Sequence, residues 1–112
     1  MFSLPSRSEK KEPKCRITIG EISFIEGPPK QIEISDVENL GDADCIMKGN
    51  VSIRPSTSPS WTEVPVVWNP GLLPPGGVSK ITFNYEWTSG TTYFIKVITE
   101  KGLETMAYGK AP

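Results

Sequence analysis

The residues of this chain that could do chemistry are mainly carboxylates, because its 112 residues include no histidine. Without histidine the common catalytic triads and dyads cannot form, and the usual general base near neutral pH is missing. Four carboxylates cluster around one turn, namely Asp36, Glu38, Asp42 and Asp44. Their spacing matches no calcium-binding loop, and acidic residues at a turn are usually solvated. We therefore expect no catalytic residue, no metal site and no cofactor, and a protein that is not an enzyme.

The two cysteines, Cys15 and Cys45, are the other residues with covalent or metal-binding chemistry. No further Cys or His exists to complete a tetrahedral zinc site, which argues against zinc. Two interpretations remain open. A disulfide would join two neighbouring strands and imply an oxidising compartment, whereas two buried thiols would behave as small hydrophobic residues.

Two further side-chain types indicate recognition or modification. Trp61 follows the segment PSTSPS at residues 55–60 and is the tryptophan that we expect to be exposed, because large rigid aromatic side chains supply contact area at low entropic cost. Asn50 begins the only Asn-x-Ser/Thr sequence with a permitted middle residue, so it could carry a glycan if the chain is exported.

Short apolar runs separated by turn residues must position these groups. Residues 1–14 are polar, contain Pro5 and Pro13, and predict a flexible tail, whereas residues 15–112 predict one domain. Proline and glycine recur too often in that domain for a helix of three turns. We count seven strand-like runs, at residues 15–25, 31–38, 44–54, 63–68, 79–87, 92–100 and 103–108.

Alternation along these runs predicts which side chains are buried, since successive side chains of a strand point to opposite faces. The positions expected to point inward are Ile32, Ile34, Val51, Ile53, Ile81, Phe83, Tyr85, Trp87, Tyr93, Ile95 and Val97. In YFIKVI at residues 93–98, Phe94 and Ile98 make the opposite face apolar as well. This strand is therefore central or covered on its outer face, and Phe94, Ile98 and Trp61 are candidates for a recognition surface.

Seven short strands with turns between them predict an immunoglobulin-like antiparallel β-sandwich. The Cys-Trp-Cys pattern of antibody domains is absent, so the prediction concerns architecture alone. The edges of an open sandwich carry unpaired backbone groups that can accept a strand from another chain. Self-association by edge-strand pairing is thus one expected route to partners, with residues 15–25 as a candidate edge.

Charge and hydropathy narrow the classes of partner. Twelve Lys and Arg against thirteen Asp and Glu leave a net charge of -1, which argues against nucleic acid. No run approaches the roughly 18 apolar residues of a membrane-spanning helix, so this chain is not expected to insert into a membrane. Met1 is either a natural start or replaces a removed anchor, and we favour the second interpretation.

Three fragments together resemble immunoglobulin-like domains of archaeal surface proteins. These are IEISDVENLGDADC at residues 32–45, with its Asn-x-Gly turn, GLLPPGGVSKITFNYEW at residues 71–87, and TTYFIKVITEKGLETMAY at residues 91–108. Such domains occur in archaellins, archaeal pilins and the archaellum stator. The N-terminal hydrophobic helix by which those families anchor or polymerise is missing from this sequence.

The resemblance implies a non-enzymatic, extracellular domain of archaeal surface architecture, either stator-like or associated with a pilus. Its partners would be proteins, including surface-layer or filament proteins. Two other functions remain open from the residues. One is a small carbohydrate-binding module that uses exposed aromatic side chains, and the other is a viral or intracellular structural subunit with reduced cysteines.

Overall fold

The computed structural model describes residues 13–112, and these residues form β-strands without any helix. Most of the tail expected at residues 1–14 lies outside the described residues. The strands within them are β1 (Ile17–Thr18), β2 (Glu21–Ile25), β3 (Gln31–Asn39), β4 (Cys45–Pro55), β5 (Thr62–Pro65), β6 (Leu72–Leu73), β7 (Val78–Asn84), β8 (Thr92–Thr99) and β9 (Glu104–Lys110).

The strands form two antiparallel sheets. In the first, β3 pairs with β7 on one side and, on the other, with β1 and β2, which lie end to end. In the second, β4 pairs with β8 on one side and with β5 and β6 on the other, and β8 pairs in turn with β9. This connectivity is that of immunoglobulin strands A-B-E in one sheet and C′-C-F-G in the other. The predicted all-β, immunoglobulin-like sandwich is confirmed.

The run predicted at residues 15–25 is wrong as a single strand, because it is broken at Gly20. Strand β3 has a bulge between Ile34 and Val37, where Asp36 adopts a positive φ of 54°. The Gly20 N–H donates to the carbonyls of Ser35 and Asp36 within this bulge. A side chain at Gly20 would collide with that of Asp36, so glycine is needed where the two irregular segments meet.

The run predicted at residues 63–68 is also wrong in extent. Strand β5 ends at Pro65, and a second short strand, β6, pairs Leu72 and Leu73 with Ile46 and Cys45 of β4. Prolines at positions 70, 74 and 75 surround β6, which is why the sequence indicated a turn there. Residues 13–112 therefore form nine strands where seven were expected, because strands A and C′ are each divided in two.

The inner faces of both sheets share one apolar core. All the alternating positions predicted to point inward are buried except Tyr85, which is half-buried. Trp87 is only 1% exposed, and its indole N–H donates to the Gln31 carbonyl at 3.0 Å. The Tyr93 hydroxyl accepts a 2.8 Å hydrogen bond from the Thr88 N–H, five residues upstream. This contact at the start of β8 has the arrangement of the tyrosine corner found in immunoglobulin-type sandwiches.

One end of the sandwich is held by a covalent bond and by a buried amide. Cys15 and Cys45 form a disulfide with their Cα atoms 5.2 Å apart, which joins the segment before β1 to the start of β4. Beside it, the Lys14 N–H donates to the Asp42 carboxylate at 2.7 Å. Asn39 is fully buried and makes four hydrogen bonds there, to backbone groups of Arg16, Gly41, Ala43 and Leu73.

Candidate interaction surface

The outer face of the second sheet carries a continuous group of aromatic, apolar and cationic side chains. On this face β8 presents Phe94, Lys96 and Ile98, which alternate with its buried residues. The pairing register places Phe94 between Arg54 of β4 and Tyr108 of β9, and Lys96 beside Met106 of β9. We call this group the outer-face cluster, and its members are Arg54, Trp61, Phe94, Lys96, Met106 and Tyr108.

Cation–π contacts join four members of the cluster. The Arg54 guanidinium lies 4.6 Å from the Phe94 ring centroid and 5.0 Å from that of Trp61. The Lys96 ammonium lies 4.2 Å from the Trp61 centroid. Trp61 therefore covers part of the outer face of β8, which explains why that strand is apolar on both sides. It is half-buried and not fully exposed, and two cations already contact its ring.

The loop before Trp61 is bonded to one of these cations, Arg54. Arg54 donates from Nη1 to the Ser58 carbonyl at 2.9 Å, and the Ser58 N–H donates to the Pro55 carbonyl at 3.1 Å. The Ser60 N–H donates to the Ser58 hydroxyl at 3.2 Å. These bonds place Trp61 against the sheet. A sequence pattern alone could not predict them, because only the pairing of β4 with β8 brings Arg54 opposite Phe94.

The two cluster members on β9 are exposed to solvent. Tyr108 is 72% and Met106 is 55% exposed, and the Tyr108 ring lies 6.0 Å from that of Phe94. Ile98 is half-buried further along β8 and is paired with Glu104 of β9. Lys96 makes a 3.6 Å ion pair with Glu104, whose side chain is half-exposed. Of the residues that the sequence predicts for a recognition surface, Trp61 and Phe94 lie in the cluster and Ile98 lies beyond it on β8, and their role in recognition stays a prediction. The sequence did not indicate Met106 and Tyr108, because their exposure depends on β9 lying at the edge of the sheet.

The remaining chemical candidates are not brought together. Among residues 13–112, no three acidic, cysteine or histidine side chains lie close enough to hold a metal ion. Asp36 lies in the β3 bulge, while Asp42 bonds the backbone of Lys14 near the disulfide. A groove beside the disulfide is lined partly by Lys14, Leu103 and Glu100.

Asn50 lies in an irregular part of β4, where the register against β8 shifts between Met47 and Val51. Its side-chain Nδ2 donates to Glu63 at 3.5 Å, and its Oδ1 is buried without a hydrogen-bond partner in the described part of the chain. Ser52, the third residue of the acceptor sequence, is 6% exposed. Glycosylation at Asn50 stays a prediction.

The fold defines a class of protein, an immunoglobulin-like sandwich, and it resembles the fold of the archaellum periplasmic stator proteins. One similar solved structure is the archaellum periplasmic stator protein FlaG from Sulfolobus acidocaldarius, with a TM-score of 0.73 and 16% identity over 86% of this chain and 100% of that chain. A second is the stator protein complex of FlaF and FlaG from the same organism, with a TM-score of 0.71 and 16% identity over 97% of this chain and 100% of that chain.

At this level of identity the likeness concerns the fold alone. No protein-family model matches the sequence, and no curated protein matches it. Across residues 13–112, no helix has the length and apolar character needed to cross a membrane.

Proposed function

We propose that this chain is a non-enzymatic domain of archaeal surface architecture that acts in the archaellum stator or a related assembly by contacting other proteins. The observation that carries this proposal is the similarity in fold to FlaG and to the FlaF–FlaG complex, which extends over nearly the whole chain. The latter structure is a complex between two proteins, so a role in protein contact is the function that the likeness favours.

Two features of the chain support this role. A structural disulfide is typical of proteins that fold outside the cytoplasm, so the Cys15–Cys45 bond favours a location at the cell surface. The outer-face cluster combines aromatic side chains with Arg54, and these residue types are enriched at protein interfaces. Exposed Met106 and Tyr108 would provide the apolar centre of such a contact. Surface-layer or filament proteins are further partners in this proposal.

The proposed contact can be tested by calorimetric titration of the full chain against the FlaF and FlaG relatives of its own source organism. We expect saturable binding to at least one of them. Phe94→Glu should weaken that binding by at least roughly tenfold, because it replaces the aromatic ring that lies against Arg54 and Tyr108 with a charged side chain. Asn84→Glu is the matched control, since it adds the same charge at an exposed position of β7 in the other sheet.

A chain that binds neither relative would contradict a stator role. If Phe94→Glu and Asn84→Glu change the binding affinity equally, the contact does not depend on the outer-face cluster. The disulfide that favours this location is tested separately by counting free thiols in protein isolated from its own cells without reductant. We expect none, and two reactive thiols would remove this support for the surface location.

A further inference from the structure

Among residues 13–112, strand β9 has one edge that pairs with no other strand. The Thr99 N–H donates to the Leu103 carbonyl and the Ala111 N–H to the Thr91 carbonyl, each at 2.9 Å. In an antiparallel ladder, such hydrogen bonds between two strands recur at every second residue. The odd-numbered residues of β9 between these two points therefore bond to β8. The N–H and C=O groups of the even-numbered residues therefore point away from β8, and these residues are Glu104, Met106, Tyr108 and Lys110. In the described part of the chain β9 pairs with β8 alone.

The other sheet does not occupy this edge. Thr105 points inward, and its hydroxyl donates to the Ile17 carbonyl at 3.0 Å. Gly109 also faces inward, where a Cβ atom would lie 3.3–3.4 Å from the side chains of Phe24 and Ile22. Both contacts close the sandwich through inner-face groups, so they leave the outward backbone groups of β9 available.

The remaining edges of the two sheets are less suited to pairing. In the first sheet, the edge formed by β1 and β2 is interrupted at Gly20. In the second sheet, the edge formed by β5 and β6 consists of two short strands next to prolines. Strand β7 has seven residues like β9, but its exposed face carries Lys80 near its centre, with a side chain 70% exposed. A central lysine is a common device against edge pairing. In β9 the charged residues lie only at the two ends.

The charges at the two ends of β9 are complementary to a second copy of the same strand. If two β9 strands pair antiparallel about Ala107, Glu104 of each copy lies opposite Lys110 of the other, and Met106 lies opposite Tyr108. All four outward-pointing residues then face their counterparts, which allows roughly eight backbone hydrogen bonds. Opposite charges and sulfur–aromatic pairs stabilise facing positions of an antiparallel ladder. A parallel pairing would instead bring like charges together.

We propose that this chain self-associates through β9, forming a two-fold symmetric dimer in which the second sheets of two copies join into one continuous sheet. This inference rests on the proposed role in protein contact and names a second copy of the chain as the partner. The join would also extend the outer-face cluster across both copies, since Met106 and Tyr108 lie on that face.

Three variants of the full chain test the register by sedimentation equilibrium at low salt. Lys110→Glu and Glu104→Lys each place like charges at both facing pairs of a dimer, so each alone should dimerise roughly tenfold more weakly than the wild type. An equimolar mixture of the two variants restores both opposite-charge pairs, so it should form heterodimers at near wild-type affinity. The double variant should likewise regain dimerisation.

Lys48→Glu is the matched control, because it makes the same charge change at an exposed position of β4 away from the edge, and it should dimerise like the wild type. A monomeric wild type at millimolar concentration would overturn the proposal, and so would single variants that dimerise normally or a mixture that does not recover. A dimer without binding to any stator protein would retain this inference and contradict the proposed function, whereas a monomer that binds stator proteins would do the reverse.

Discussion

At the scale of single residues, Asn39 shows why the Asn-x-Gly turn is present. Its Nδ2 donates to the carbonyls of Ala43 and Leu73, and its Oδ1 accepts from the N–H groups of Arg16 and Gly41. The side chain thus satisfies backbone groups of four residues at this end of the sandwich. Gly41 is required because a Cβ atom there would collide with the Lys14 carbonyl.

Asn39→Ala should lower the free energy of unfolding by about 3 kcal/mol or more, because it leaves several buried backbone groups without partners. Urea denaturation followed by circular dichroism measures the change. Asn84→Ala is the matched control, since that side chain is exposed and bonds only to the Gln31 amide, and it should cost less than about 0.5 kcal/mol. Similar losses in both variants would contradict the role assigned to Asn39.

The half-buried Tyr85 should make the protein sensitive to alkaline pH. Burial raises the pKa of Tyr85 above 10.0, and the neighbouring Tyr93 raises this pKa further. The folded state therefore holds the phenol proton more tightly than the unfolded state does. The stabilising effect is complete below pH 10.0 and is lost as the pH rises through the higher pKa of the folded state.

Stability measured between neutral pH and pH 11 should fall less steeply in Tyr85→Phe than in the wild type. Tyr108→Phe is the matched control, because it removes an exposed phenol and leaves the contact between Tyr85 and Tyr93 intact. An alkaline fall that is unchanged in Tyr85→Phe would show that another group causes it.

At the scale of elements, the disulfide connects the two sheets near their most irregular strands. Cys15 precedes the interrupted edge formed by β1 and β2, and Cys45 begins the long strand β4. An edge of two short strands has few ladder hydrogen bonds, so a covalent link there restrains the part of the sandwich that local pairing holds least. The bond closes a loop across a sequence separation of 30 residues.

Replacing both cysteines by alanine should lower the free energy of unfolding by about 3–4 kcal/mol, chiefly by releasing the unfolded chain from this closed loop. Reductant should lower the stability of the wild type to the same degree and leave the variant unchanged. A wild type whose denaturation midpoint is insensitive to reductant would contradict a stabilising disulfide.

The strand elements were largely predictable, and the divisions within them were not. The seven predicted runs correspond to the seven immunoglobulin-type strands, because alternation with a period of two is a local property of each run. The break at Gly20 follows from the bulge at Asp36 on a neighbouring strand, and β6 exists because Leu73 and Leu72 reach β4. Such causes lie outside the run that they affect.

At the scale of the whole molecule, the two sheets share one core and should unfold together. Ile34 of the first sheet and Ile95 of the second are both fully buried in it. A single core supports one cooperative transition in a domain of this size. Neither sheet can keep its inner face buried if the other separates.

Ile34→Ala and Ile95→Ala should each cost about 2–5 kcal/mol and shift the transitions seen by tryptophan fluorescence and circular dichroism equally. Val67→Ala is the control, because Val67 is 87% exposed, and it should cost less than about 0.5 kcal/mol. Two separate transitions in either core variant would contradict a shared core.

The all-β class and the buried face of each strand follow from alternation and turn residues, which act over a few neighbouring positions. The missing histidine likewise removes the common hydrolytic arrangements before any fold is known. The partners of Asn39, the cations against Trp61 and the unpaired edge of β9 depend instead on contacts between segments that are distant in sequence. Thr105 and Ile17, for example, meet across 88 residues. Local patterns carry no information about such meetings, so the surfaces available to a partner emerged only when the two sheets were assembled.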